Sequence, residues 1–316
     1  MKEGIIMAAE VESMFYTRDV PWHGLGIRVE EAPTSKEALI TAGLDWKVEA
    51  KSIFVDNRKV KDFYANVRDN DNSILGIVSN TYKIVQNEEA FAFTDQLLEN
   101  DKEVKYETAG SLCNGKKTWL LAKMPDIHLV DDPTNCFVTF MNSFDGKSGL
   151  RVFVTPVRVV CNNTLNMALS STPRSWSANH SGNIQEKLEE AKRTLIMAKN
   201  YFKNLENVSK ELVGRDITEK AVLEFIEELL PIEKDASARK ESNVIELRKE
   251  LYSRYKNAPD LKKYQNTHWA LINACSDFAS HTIPLRRTEK YRENNMVNIV
   301  CGHPILDRAT KLLKIA

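Results

Sequence analysis

The strongest chemical signal in the chain is a run without carboxylates. From Gly146 to His180 there is no Asp or Glu, while Lys147, Arg151, Arg158 and Arg174 are present. Asn162, Asn163 and Thr164 follow at the expected start of a helix, where side-chain and main-chain donors meet phosphate oxygens readily. The preceding hairpin adds Lys116, Lys117 and Trp119. Cations supply salt-dependent attraction to a phosphate backbone, and aromatics on a strand face stack unpaired bases. Lys116, Lys117, Lys147, Arg151, Arg158, Asn162, Asn163 and Thr164 therefore form a candidate surface for single-stranded nucleic acid. The competing reading is plain: solvated strand cations, with Trp119 and Phe153 in the core.

Other chemistries have weaker support. Cys161 stands at the same strand–helix junction, where a helix N-terminus would lower a thiol pKa and make a nucleophile. Following Val159 and Val160, it reads first as a small buried hydrophobe. The Gly-Leu-Gly at 24–26 lacks a third glycine, and no G-x-x-x-x-G-K occurs, so no nucleotide cofactor is expected. No two of the six histidines sit at i,i+4, and none pairs with a cysteine at finger spacing; no metal site is expected. Five scattered cysteines without a C-x-x-C pair argue for a reducing compartment.

The charge balances, with 44 Lys+Arg against 44 Asp+Glu, so any attraction to a polyanion must be local. No stretch approaches a membrane span, and the N-terminal apolar run is too short and too acidic for a signal peptide.

The elements that must position these residues change character near residue 180. Before it, strand signals dominate: "WKVEAKSIFV", "KDFYANVR" and "SILGIVS" are separated by Asp-Asn turns. "EVKYETAGSL" and "KKTWLLAKM" flank Asn114-Gly115, and "CFVTFMNSF" and "LRVFVTPVRVV" flank "DGKSG". Pro156 implies an edge strand or a bulge in the last of these. A bulge would matter, because Arg151 and Arg158 have opposite parity along a regular strand. Short helices are expected after Thr34 and Ser35, ended by Gly43, and from Asn87 as N-cap. "SSTPRSWSANHSGN" reads as a linker. From about Asn183, Ile184, Leu188, Ala191, Leu195, Ala198, Phe202 and Leu205 keep a heptad seam that packs within the chain or against another subunit. Four more amphipathic helices follow, the last with Pro304 at its first position. The expected fold is α+β: an antiparallel sheet with helices on one face over residues 1–180, then a mainly helical region over 181–316 with a long amphipathic helix.

Several segments resemble a phage- and plasmid-encoded family known as domain of unknown function 932. They are "PWHGLG", "AGLDWKV", "YKIVQNEEAF", "ETAGSL", "PVRVVCNNTL" and "THWALINACSDFASH", in order over nearly the whole chain. One position departs: Phe144 stands where the pattern has a histidine before Asp-Gly. The resemblance implies a mobile-element origin and a bacterial cytoplasm, and no activity. A fold-level similarity to phage single-strand annealing recombinases rests on the strand–helix order and the positive strip.

The functional expectation is thus an ATP-independent, oligomeric, single-strand-binding or annealing protein. The alternatives are a non-enzymatic phage protein that engages a host defence factor through its C-terminal helices, and a cysteine-dependent enzyme centred on Cys161.

Overall fold

Turn chemistry sets out most of the strands. The computed structural model describes residues 13–17, 27–30, 34–92, 94–95, 104–158, 167–169, 174–282 and 302–315. They fall into two compact units. The first is Met1–Pro125, Phe137–Phe153 and Ser175–Ile196; the second is Asp126–Cys136, Val154–Arg174 and Met197–Ala316. The chain thus passes between units several times, and residue 180 falls inside the first.

Seven strands form one sheet: β1 (Met14–Tyr16), β2 (Ile27–Arg28), β6 (Lys105–Leu112), β7 (Lys117–Leu129), β8 (Asp132–Ser143), β9 (Leu150–Arg158) and β10 (Ser175–Ala178), in the order β10-β9-β8-β7-β6-β1-β2. β6 to β9 are consecutive neighbours, and β1 and β2 are paired in parallel. The β6–β7 turn is longer than Asn-Gly alone demands. Leu112 pairs with Lys117, and Cys113, Asn114 and Gly115 all take positive φ. The expected linker after Arg174 contains a strand: Ser175–Ala178 pairs antiparallel with Phe153–Leu150. Its alternation of Ser with Trp and Ala is a short strand pattern in a polar context.

Three strands form a second sheet in the first unit: β3 (Val48–Val55), β4 (Arg58–Arg68) and β5 (Ile74–Ser79), in that order. Asp56 and Asn57 both have positive φ, 50° and 62°, which makes the two-residue turn that matches strand twist. Helix α1 (Ser35–Thr41) lies against β1 and β6. The Thr34 hydroxyl caps it by accepting from the Glu37 amide, and Gly43 follows at φ +66°. Helix α2 begins at Asn87 (Asn87–Ala92), but that residue is not its cap. Its buried amide donates to the Leu44 carbonyl and accepts from the Thr118 hydroxyl, so tertiary need overrides the local signal.

Helix α3 (Ile184–Val213) carries the heptad seam. Leu188, Ala191, Ala198, Phe202 and Leu205 are all buried, so the chain itself covers these positions. In the second unit, α4 (Glu219–Leu229), α5 (Ala238–Asn257), α6 (His268–His281) and α7 (Pro304–Leu312) follow. Thr218, Ser237 and Thr267 cap the first three by accepting from main-chain amides. Trp269 through Ser276 are all buried on α6, which makes it the central helix of this unit.

Candidate nucleic-acid interface

The positions singled out in the sequence separate into three groups. Lys116 and Lys147 are exposed in neighbouring turns. The Phe144 amide donates to the Lys116 carbonyl at 2.9 Å, which holds the β6–β7 and β8–β9 turns side by side. The second turn is stiffened by Asp145, whose Oδ1 accepts from the Lys147 and Ser148 amides at 2.8 and 3.0 Å, and Gly146 takes φ +71°. Lys117 and Arg151 are half-buried on strands, opposite Leu112 and Ser177. Arg158 ends β9, and its side chain lies outside the described residues, as do Cys161, Asn162, Asn163 and Thr164.

Two expected contributors are committed elsewhere. Arg174 makes a bidentate pair with Asp307, at 2.5 and 2.7 Å. Its guanidinium lies so close to Gly302 that a Cβ there would be 2.1 Å from Nη2. Trp119 is 6% exposed and packs with Met14 and Leu112. Gly110 lies beneath its ring, where a Cβ would come within 2.4 Å. Phe153 is buried too. The carboxylate-free region thus has cations on its surface, while Phe153 and the neighbouring Trp119 are buried and Trp176 on β10 is half-buried. Pro156 lies beyond the β10 pairing, which ends where the Val154 amide donates to the Arg174 carbonyl.

Exposed aromatic and cationic groups meet instead on the three-stranded sheet. From Lys51 to Lys61 the β3–β4 ribbon holds Lys51, Arg58, Lys59 and Lys61 against one carboxylate, Asp56. Every residue of this stretch is exposed except Ile53 and Val60, which are half-buried, so the ribbon projects from its sheet. The side chains of Arg58 and Lys61 make no hydrogen bond or ion pair with the described residues, though Arg58 pairs with Val55 through the strand ladder. Lys59 lies 5.9 Å from the Tyr64 ring centre, and Lys51 donates to Asn72 at 3.2 Å. Glu49, 3.9 Å from Lys51, and Asp62, held by Asn80 at 3.0 Å, bound the basic stretch.

Register then sorts the sheet's two faces. Ala65 pairs with Lys51 on one side and Ile77 on the other, and Val67 pairs with Ile74. Lys51, Phe63, Ile74 and Ile77 therefore share the outward face. Phe63 is 48% exposed, and both isoleucines are more so. The inward face carries Asn66, Gly76 and Val78 and is seated on the β8–β9 turn. The Asn66 side chain donates to the Phe144 carbonyl at 2.8 Å. Gly76 is required there, since a Cβ would stand 2.6 Å from that carbonyl oxygen. Gly146 abuts Val78 and the Ile77 carbonyl, so Lys147 emerges beside β5. Phe144 is fully buried against Trp46, ring centres 5.4 Å apart. The position that departs from the family pattern is a packing position in this chain.

The base of this construction is polar and tightly paired. Arg68, buried at its side chain, donates to Asp71 from Nε and Nη2 and lies 5.3 Å from the Trp46 ring centre. Those bonds and the Ser73 hydroxyl and amide hold the Asp71 carboxyl well below the usual range. Tyr82 donates to the Ser143 carbonyl at 2.8 Å and stacks on His180 at 4.8 Å. His180 Nδ1 donates to the Lys83 carbonyl at 3.1 Å, and burial lowers its pKa to about 4. This imidazole is a neutral pin behind the turn.

Among the described residues, no group of three or more His, Cys, Asp or Glu is placed to hold a metal ion, and no helix is long and apolar enough to cross a membrane. Cys136 and Cys275 are buried, and burial pushes the Cys275 thiol far up, away from reactivity.

A family model described as "Domain of unknown function (DUF932)" matches residues 74–299. No curated protein and no solved structure matches the chain. The matched span takes in the Lys116 and Lys147 turns and omits the β3–β4 ribbon.

Proposed function

The chain belongs to the DUF932 family, and from that premise we propose that it is a phage or prophage protein that binds single-stranded nucleic acid without a nucleotide cofactor, acting in the host cytoplasm. One observation carries the reading. In a chain of zero net charge, the β3–β4 ribbon has four cations to one carboxylate and stands clear of its sheet. Arg58, Lys59 and Lys61 take phosphates, and Lys51 does so from the outward face. Phe63 offers a ring to an unpaired base, and the neighbouring isoleucines give apolar contact. Lys147 and Lys116 extend the track at the turns beneath the sheet. Stacking with charge is the combination that single-strand binders use, and it is tolerant of sequence.

The test is fluorescence anisotropy with a labelled single-stranded oligonucleotide. Binding should be clear at about 50 mM salt and weaken at least tenfold by about 200 mM, as counterion release requires. Absence of binding at the lower salt, or indifference to salt, would sink the reading.

A second reading has an observation of its own. Phe63, Ile74 and Ile77 expose apolar surface on one sheet face, the kind of patch that proteins cover with partners. A host protein or a second copy would bury it. Sedimentation of the purified chain and of Ile74→Lys/Ile77→Lys separates these occupants: a dimer lost in the variant favours the second copy.

A further inference from the structure

The end of the ribbon has a composition that single-strand binding does not use. Phe54 and Val55 are its last β3 residues, and they are 61% and 60% exposed. Register places Phe54 opposite Lys59 and Val55 opposite Arg58. Cross-strand partners share a face, and successive residues alternate. Each side of the tip therefore couples one apolar side chain to one cation. The two-residue turn at Asp56 and Asn57 keeps the tip narrow and its register fixed.

That arrangement fits paired strands. Two-stranded ribbons enter the major or the minor groove of a duplex, and apolar side chains that reach the minor groove wedge between base steps and unstack them. Resting on the reading above, we infer that the β3–β4 tip is an unstacking wedge for duplex DNA. Phe54, the larger of the two, enters a base step from one side of the tip and Val55 lines the other side, while Lys59 and Arg58, fixed across from them, hold the flanking phosphates. The charge decides for a polyanion over a second copy, because the same basic ribbon on another chain would repel it. A wedge of this kind would let a protein without ATP open a few base pairs at an end, a mismatch or a junction, where unstacking costs least.

The experiment uses the full chain and a short duplex with 2-aminopurine beside a single mismatch, at low salt. The wild-type protein should raise the fluorescence several-fold as the base unstacks. The Phe54→Ala/Val55→Ala variant should lose that rise while it still binds the labelled single strand within about threefold of wild type; both positions are exposed, so folding is checked by an unchanged melt. If the wild type binds the single strand but leaves the duplex signal flat, the wedge is wrong and the single-strand reading stands. Equal rises from both proteins also overturn the wedge, since the tip would then be idle. If the variant instead abolishes self-association and the duplex signal is unchanged, the tip is a contact between copies. If the wild type binds no single strand at low salt, the parent reading fails and the wedge falls with it.

Discussion

The β3–β4 ribbon and the β6–β9 hairpins use similar residues for opposite ends. Both are antiparallel, and both interleave aromatics with lysine and arginine. In the hairpins most aromatics are buried: Trp119 under Met14 and Leu112, Phe153 within β9 and Phe144 against Trp46, with Phe137 half-buried on β8. In the ribbon, Phe54 and Phe63 are exposed. The difference is whether another layer covers the strand. α1 packs on β6, and the β8–β9 turn is roofed by the three-stranded sheet, whereas the ribbon extends past its own sheet. An aromatic beside a lysine therefore reports a surface only where nothing packs above it.

The comparison can be broken first by stability. Trp119→Ala should cost about 3–5 kcal/mol, a large-to-small change in a packed core, while Phe54→Ala should stay within about 0.5 kcal/mol. Urea denaturation of both variants checks this, and a large loss at Phe54 would mean the ribbon is covered.

The next effect is a pH dependence behind the turn. His180 is 3% exposed, and its folded pKa is lowered to about 4 from an ordinary 6.5. A lowered histidine pKa means the unfolded chain binds the extra proton first. Its contribution is complete above pH 6.5 and is lost as pH falls towards 4, by about 3 kcal/mol in all. His180→Gln, which keeps a donor for the Lys83 carbonyl, should flatten this part of the stability–pH curve. A curve of unchanged slope would show that the imidazole is not buried neutral.

The smaller effects fall on binding. Arg58→Ala/Lys59→Ala/Lys61→Ala should leave the melting temperature where it is and weaken single-strand affinity. Lys116→Ala/Lys147→Ala should weaken it less, because these two lysines stand on separate turns. If the second variant loses more than the first, the interface centres on the turns that the family match covers and not on the ribbon.

Much of the architecture is legible in the sequence. Thr34, Gly43, Thr267 and Pro304 mark helix ends by local chemistry, and Leu188, Ala191, Ala198, Phe202 and Leu205 of the α3 seam are buried as their spacing implies. The signals that misled were those that compete with tertiary structure. Asn87 looks like a cap, yet its amide joins Leu44 to Thr118. Ser175–Ala178 looks like linker because edge strands need only a backbone partner, and β9 supplies one. The candidate cations are legible in part. A long run without carboxylates is easy to notice, and it holds Lys147 and Arg151, with Lys116 in the hairpin before it. It also holds Arg174, whose partner Asp307 is remote in sequence. The ribbon escaped the same criterion because Asp56 interrupts it. Counting charge hairpin by hairpin would find it, but only the burial pattern shows that its aromatics stay outside.

The central claim is that the ribbon's cations meet phosphates. Its most direct test is the slope of log affinity against log salt for a single-stranded oligonucleotide, in the wild type and in Arg58→Ala/Lys59→Ala/Lys61→Ala. Each lost phosphate contact should reduce the slope by about 0.7, so the triple variant should be shallower by about 2. Equal slopes, with binding intact in both, would contradict the account and move the interface away from the ribbon.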